Sequence, residues 1–141
     1  MARKKILLVD DEVALLKTIR RRLELNNYEV VEALDGVEGL AKALSEKPDL
    51  IISDIMMPKM DGYTFIRKLR QDPSVAGTPV IILTAKPRMK DLFVFEGVKE
   101  CDYIVKPFRS EELLKKIEQL LLQRIQTHFG PGGATDRPNV P

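Results

Sequence analysis

The sequence predicts a doubly wound α/β domain: a five-stranded parallel sheet, expected order 2-1-3-4-5, with helices on both faces. Two observations predict the class, and the order is the one that would set the first and third strand ends side by side. Five short runs rich in Val, Ile and Leu lack polar alternation, as strands covered on both faces do. Amphipathic segments separate them, which is the alternation of a parallel sheet with right-handed crossovers. A third observation concerns the ends of those runs. Asp10, Asp11, Asp54, Thr84 and Lys106 each close or follow one. Parallel strands gather such ends on one edge, where open α/β sheets bind ligands.

The elements follow in order. The first strand is Lys5–Val9, all apolar after its lysine. The segment Glu12–Leu25 sets Val13, Leu16, Ile19 and Leu23 on one side of a helix. Arg20, Arg21 and Arg22 fall largely on the other, as a solvated face with a weaker reading as a docking contact. Glu29–Ala33 is the second strand. Asp35 forms a turn into the helix Gly36–Ser45. Leu50–Ser53 is the third strand. Pro58 stiffens the following loop and Gly62 permits a tight backbone there. Met57 and Met60 read as packing residues. The helix Tyr63–Arg70 offers Phe65, Ile66 and Leu69. Val80–Leu83 is the fourth strand, and Lys90–Val98, with Phe93 and Phe95 as core residues, is the least regular helix. Tyr103–Val105 is the fifth strand, with Cys101 packing near its start. The last helix, Ser110–Gln126, opens on Ser110 as N-cap, with Glu111 and Glu112 at its positive end. The folded domain is therefore expected over 1–126. The stretch 127–141, THFGPGGATDRPNVP, reads as a disordered tail or linker stub. His128 within it is a poor candidate for chemistry.

With 141 residues the chain is expected to be one domain able to bury a core without staples. A net charge of +2 makes no electrostatic case for nucleic acid or membrane. The single cysteine suits a reducing compartment. The apolar part of MARKKILLVDD is too short for a signal peptide, and no run is long enough to span a bilayer. The cytoplasm is the expected location.

Two carboxylates about 4 Å apart repel by roughly 4 kcal/mol at an effective dielectric near 20. Three in one pocket need a counterion, and Mg2+ suits carboxylates, waters and a phosphoryl oxygen. Taken alone, Asp11 reads equally well as a helix cap and Asp54 as a turn residue. The set as a whole favours chemistry. Asp54 is a nucleophile able to form an aspartyl-phosphate. Lys106 supplies a point charge and Thr84 a hydrogen bond to the transferring group. An X–Pro bond at Lys106-Pro107 is a place where a cis peptide occurs.

At this point ILLVDDE, DIMMPKMDGYTFIRKLR, TPVIILTAK and CDYIVKPF, in that order, resemble the receiver domain of two-component response regulators. The resemblance covers roughly residues 4–126 and implies the flavodoxin-like strand order. It further implies that Asp54 is the phosphoacceptor and that Asp10, Asp11, Asp54 and the Met56 backbone carbonyl hold Mg2+. Thr84 and Lys106 would engage the phosphoryl group, with Tyr103 as switch aromatic beside Thr84 and a cis bond at Lys106-Pro107. The donor would be a phosphohistidine on a sensor histidine kinase or histidine phosphotransfer protein. Chemistry would be confined to phosphorylation and autodephosphorylation of the chain itself. Phosphorylation would reshape the face built from the fourth predicted helix, the fifth strand and the fifth predicted helix. That face would bind an output partner or a second copy in a phosphorylation-dependent homodimer.

The sequence departs from the family at two places. The loop Lys99-Glu100-Cys101-Asp102 lacks the usual Gly and small residues, and Pro87 sits in the switch loop. Met56 and Lys86 flank the expected phosphate entrance. The basic residues Lys86, Arg88, Lys90, Lys99 and Arg109 hint at an acidic partner. An alternative is an aspartate-nucleophile phosphatase, but Met56 stands where its second Asp is expected. A further alternative is a receiver from a larger regulator or hybrid kinase.

Overall fold

A computed structural model describes residues 3–55, 57, 59–85 and 101–129, with side chains in the last helix described to residue 124. Five parallel strands form one sheet in the order β2-β1-β3-β4-β5. They are β1 (Lys5–Val9), β2 (Glu29–Ala33), β3 (Leu50–Asp54), β4 (Val80–Thr84) and β5 (Cys101–Val105). The described helices are α1 (Val13–Leu25), α2 (Gly36–Glu46), α3 (Gly62–Gln71) and α4 (Ser110–Phe129). The predicted helix Lys90–Val98 lies outside the described residues, as do Met56, Pro58, Lys86, Pro87, Arg88, Phe93, Phe95 and Lys99.

Alternation along each strand sends side chains to opposite faces, and here both faces are covered. Ile6, Leu8, Ile52, Ile81, Leu83 and Ile104 pack against Leu16, Ile19 and Leu23 of α1 and Leu113, Ile117 and Leu121 of α4. Leu7, Val9, Ile51, Val80 and Ile82 pack on the other side against Ala43 of α2 and Phe65, Ile66 and Leu69 of α3. Met57, Met60, Cys101 and Tyr103 join this second cluster as partly buried members. Full burial of one such aliphatic side chain contributes about 1.5–3 kcal/mol, so the two clusters hold the strands in register.

Some boundaries differ from the sequence reading. Strands β3 and β4 each run one residue further, through Asp54 and Thr84, because these pair in the ladder with their neighbours. Strand β5 starts at Cys101 rather than Tyr103, since Cys101 and Asp102 pair with Val80 and Ile81 despite their polarity. Helix α4 starts with Ser110 inside it, and the Arg109 carbonyl accepts from Glu112 and Leu113, so Ser110 is not the capping residue. The same helix runs on through Thr127–Phe129, past the expected end at Gln126, to the residue before Gly130-Pro131, which disfavour continuation.

The cap of α2 follows the sequence. Asp35 Oδ1 accepts from the Glu38 N–H at 2.8 Å, and Glu38 Oε1 accepts from the Leu34 N–H at 2.8 Å. One of the helix's orphan donors, the Glu38 N–H, is thereby satisfied, and the chain just before the cap is tied to the first turn. Asp35→Ala is expected to cost about 1 kcal/mol, read as a lower urea midpoint; an unchanged midpoint would show the cap to be dispensable. At the β2 edge of the sheet, Glu29 is exposed and Glu32 half-buried, and Lys42 Nζ donates to the Glu32 carbonyl at 2.6 Å.

Candidate functional site

The strand order brings the C-terminal ends of β1 and β3 side by side, with Val9 opposite Ser53. Asp10 follows β1, and Asp54 ends β3 opposite Leu83, one residue before Thr84. Asp10 is 1% exposed, whereas Asp11 is exposed. One carboxylate oxygen from each of Asp10, Asp11 and Asp54 lies within 4.8 Å of the others. The cluster is therefore one that could hold a metal ion.

Lys106 follows β5 and reaches back over the same edge. Its Nζ stands 3.4 Å from Asp54 Oδ2 and 3.7 Å from Asp10 Oδ2. The Lys106 N–H donates to the Thr84 carbonyl at 2.8 Å, and the Lys106–Pro107 peptide bond is cis. Thr84 is buried and Tyr103 partly buried. Tyr103 pairs with Ile82 in the ladder, two residues before Thr84.

The two Asp10 oxygens have different environments. Asp10 Oδ1 accepts from the Glu12 N–H at 2.9 Å. Asp10, rather than Asp11, thus serves the start of α1, and the N-cap residue Glu12 makes no side-chain capping bond. Asp10 Oδ2 is buried and makes no hydrogen bond among the described residues, with Lys106 at ion-pair range only. A hard cation fits such an oxygen. Burial pushes the Asp10 carboxyl up to about 6, the charge of Asp54 adding to it while the Glu12 N–H and Lys106 pull the other way. A carboxyl raised above its unfolded value weakens the fold at neutral pH. That penalty lifts as pH falls through about 6 towards the ordinary carboxylate range.

The loop after β3 is shaped by backbone contact. A Cβ on Gly62 would stand 2.5 Å from the Asp54 carbonyl oxygen and 2.8 Å from Ile55 Cα. The Gly62 N–H donates to the Ile55 carbonyl at 2.9 Å. A Cβ on Gly36 would meet the Met60 carbonyl at 2.5 Å, so the loop also abuts the start of α2. Lys59, at φ 67°, places its Nζ 3.5 Å from Asp35 Oδ2.

Sequence reasoning brought Asp10, Asp11, Asp54, Thr84 and Lys106 to one edge, and the structure places them there. It passed over Ser53, which is fully buried and donates its hydroxyl to the Asp54 carbonyl at 2.8 Å. The available signal was one hydroxyl inside an otherwise apolar run, LIIS. No helix among the described residues is long and apolar enough to cross a membrane.

The response regulator receiver domain family matches residues 6–118. The DNA-binding dual master transcriptional regulator RpaA of Synechocystis is 39% identical over 83% of the chain, which covers 48% of that protein. The chain thus spans about half the length of the curated relatives it matches first. Among solved structures, the chemotaxis response regulator CheY4 of Vibrio cholerae superposes with a TM-score of 0.77 at 35% identity, covering 84% of this chain and 98% of that one. The receiver domain of a sensor histidine kinase from Pseudomonas aeruginosa, with magnesium coordinated in its active-site cleft, gives 0.77 at 29% identity, covering 85% and 98%. With a family match over residues 6–118, a relative 39% identical across 83% of the chain and a solved receiver that superposes at a TM-score of 0.77, the chain belongs to the response regulator receiver domain family.

Proposed function

We propose that this receiver takes a phosphoryl group onto Asp54 from a phosphohistidine of a sensor histidine kinase or histidine phosphotransfer protein. The observation that carries the reading is Lys106 Nζ at 3.4 Å from Asp54 Oδ2, beside three carboxylate oxygens within 4.8 Å. Mg2+, held by Asp10, Asp11, Asp54 and the Met56 backbone carbonyl, would neutralise charge on the phosphoryl oxygens. An Asp54 oxygen attacks phosphorus, the phosphorus–nitrogen bond breaks, and the imidazole leaves with its electron pair. Lys106 meets one phosphoryl oxygen as a point charge, and the Thr84 hydroxyl donates to another. The acyl phosphate adds about −1.5 to −2 charges at the edge. Thr84 is drawn towards it and Tyr103 follows into the space beside β5. A partner that prefers one arrangement then shifts the population. That partner is a second copy of the chain, another protein, or a further domain of a longer regulator, reached through the face around β5 and α4.

The test is labelling with acetyl phosphate and Mg2+. A single phosphoryl adduct, released by hydroxylamine and mapped to Asp54, is expected. An adduct on another residue would overturn the assignment, and sustained turnover of a generic phosphoester would favour a phosphatase. The ion itself gives a second readout. Because Asp10 takes a proton near pH 6, Mg2+ affinity is expected to fall by up to about tenfold per pH unit from about pH 6 to about pH 5. Calorimetric titration would measure it; an affinity flat across that range would remove Asp10 from the ligand set.

A further inference from the structure

We infer that Ser53 is a positioning residue for the acceptor, acting through the peptide plane that joins Asp54 to Ile55. This rests on Asp54 being the residue that takes the phosphoryl group. Ser53 is fully buried, at 0% accessibility, opposite Val9 on one neighbouring strand and Ile82 on the other. A hydroxyl in such surroundings needs a partner, and its partner is specific. The Ser53 Oγ donates to the Asp54 carbonyl oxygen at 2.8 Å. At the other end of the same peptide unit, the Ile55 N–H donates to Asp54 Oδ1 at 2.7 Å.

A peptide unit is planar and stiff. Holding its carbonyl end therefore fixes the direction of its N–H end. That N–H fixes the rotation of the Asp54 carboxylate, and the rotation leaves Oδ2 turned to Lys106 at 3.4 Å. Two hydrogen bonds, joined by one stiff peptide unit, thus run from a buried hydroxyl to the reacting group. Gly62 closes the system from outside, since its bare Cα lets α3 start against the same carbonyl. The plane is gripped by Ser53 and crowded on one side by the start of α3. Losing the hydroxyl leaves the strand pairing of β3 intact and frees the plane to rock. The carboxylate then spends less time facing the donor, which lowers the rate of attack more than the binding of metal or donor.

The experiment is Ser53→Ala and Ser53→Thr in the full chain, labelled with acetyl phosphate and Mg2+. The expected result for Ser53→Ala is a maximal labelling rate lower by about tenfold, with half-saturating Mg2+ and acetyl phosphate little changed. Ser53→Thr, which keeps the hydroxyl, should recover most of that rate. In nitrogen–proton correlation spectra, the Ile55 amide proton should move upfield in Ser53→Ala while the amides of Leu50–Ile52 stay in place. If Ser53→Ala does not fold, Ser53→Cys, a near-isostere with a weak donor, takes its place with the same expectation. Labelling at the unaltered rate, or a slower rate with the Ile55 amide unmoved, overturns the inference. Failure of the unaltered chain to label at Asp54 would instead overturn the function on which it rests.

Discussion

Asp54→Asn is expected to reduce Mg2+-dependent labelling to background. The amide keeps the shape and the Ile55 N–H contact of the carboxylate but lacks its nucleophilic charge. It also removes the charge that Lys106 faces at 3.4 Å and one of the three carboxylates of the cluster. Mg2+ affinity should therefore fall as well. The fold should persist, because Asp54 contributes to the Asp10 shift as a like charge and its loss relieves repulsion. Asp10 should then titrate closer to an ordinary carboxyl. Circular dichroism separates loss of chemistry from loss of structure, and intact mass reads the adduct. Labelling that persists in a folded Asp54→Asn chain would move the acceptor to another residue.

Gly62→Ala should impair both the fold and the chemistry. The atoms its methyl would meet at 2.5 and 2.8 Å belong to the backbone of Asp54 and Ile55, which cannot rotate away as a side-chain tip can. Overpacking of this kind costs about 1–3 kcal/mol. The necessary shift falls on Asp54, the proposed acceptor. Misplacement by about 1 Å costs on the order of a hundredfold in rate, so labelling should fall between tenfold and a hundredfold. Gly77→Ala is the control, because a Cβ there meets nothing within 4 Å. Denaturant melts and labelling kinetics on both variants would check this. Equal behaviour of the two would mean that the loop yields without moving Asp54.

The strand ends were legible because both sheet faces are buried. Runs such as KILLV and LIIS stand out as short apolar blocks, and the polar residue that breaks each block marks the edge. Asp35 and Gly62 were legible as turn and close-approach residues for the same local reasons. The division of labour between Asp10 and Asp11 was not legible. Adjacent carboxylates give no sign of which one turns inward when neither strand face is polar. Helix α4 outran its expected end because residues 127–129 have ordinary helical tolerance and the breaking residues come only at Gly130-Pro131. Ser53 was passed over because hydroxyls in apolar runs are common, and its bond to the next residue is one that only geometry displays.

The β2 margin of the sheet has a consequence for self-association. An outermost parallel strand leaves a row of backbone groups open to a further strand, from this chain or from an aggregating one. Here Lys42 Nζ occupies the Glu32 carbonyl, and the side chains of Glu29 and Glu32 are held in ion pairs with Lys5 and Arg20. A further strand docking there would have to displace the Lys42 contact and pack against these charged pairs. Lengthening of the sheet at that margin is thereby disfavoured, and fibril growth from this side is resisted.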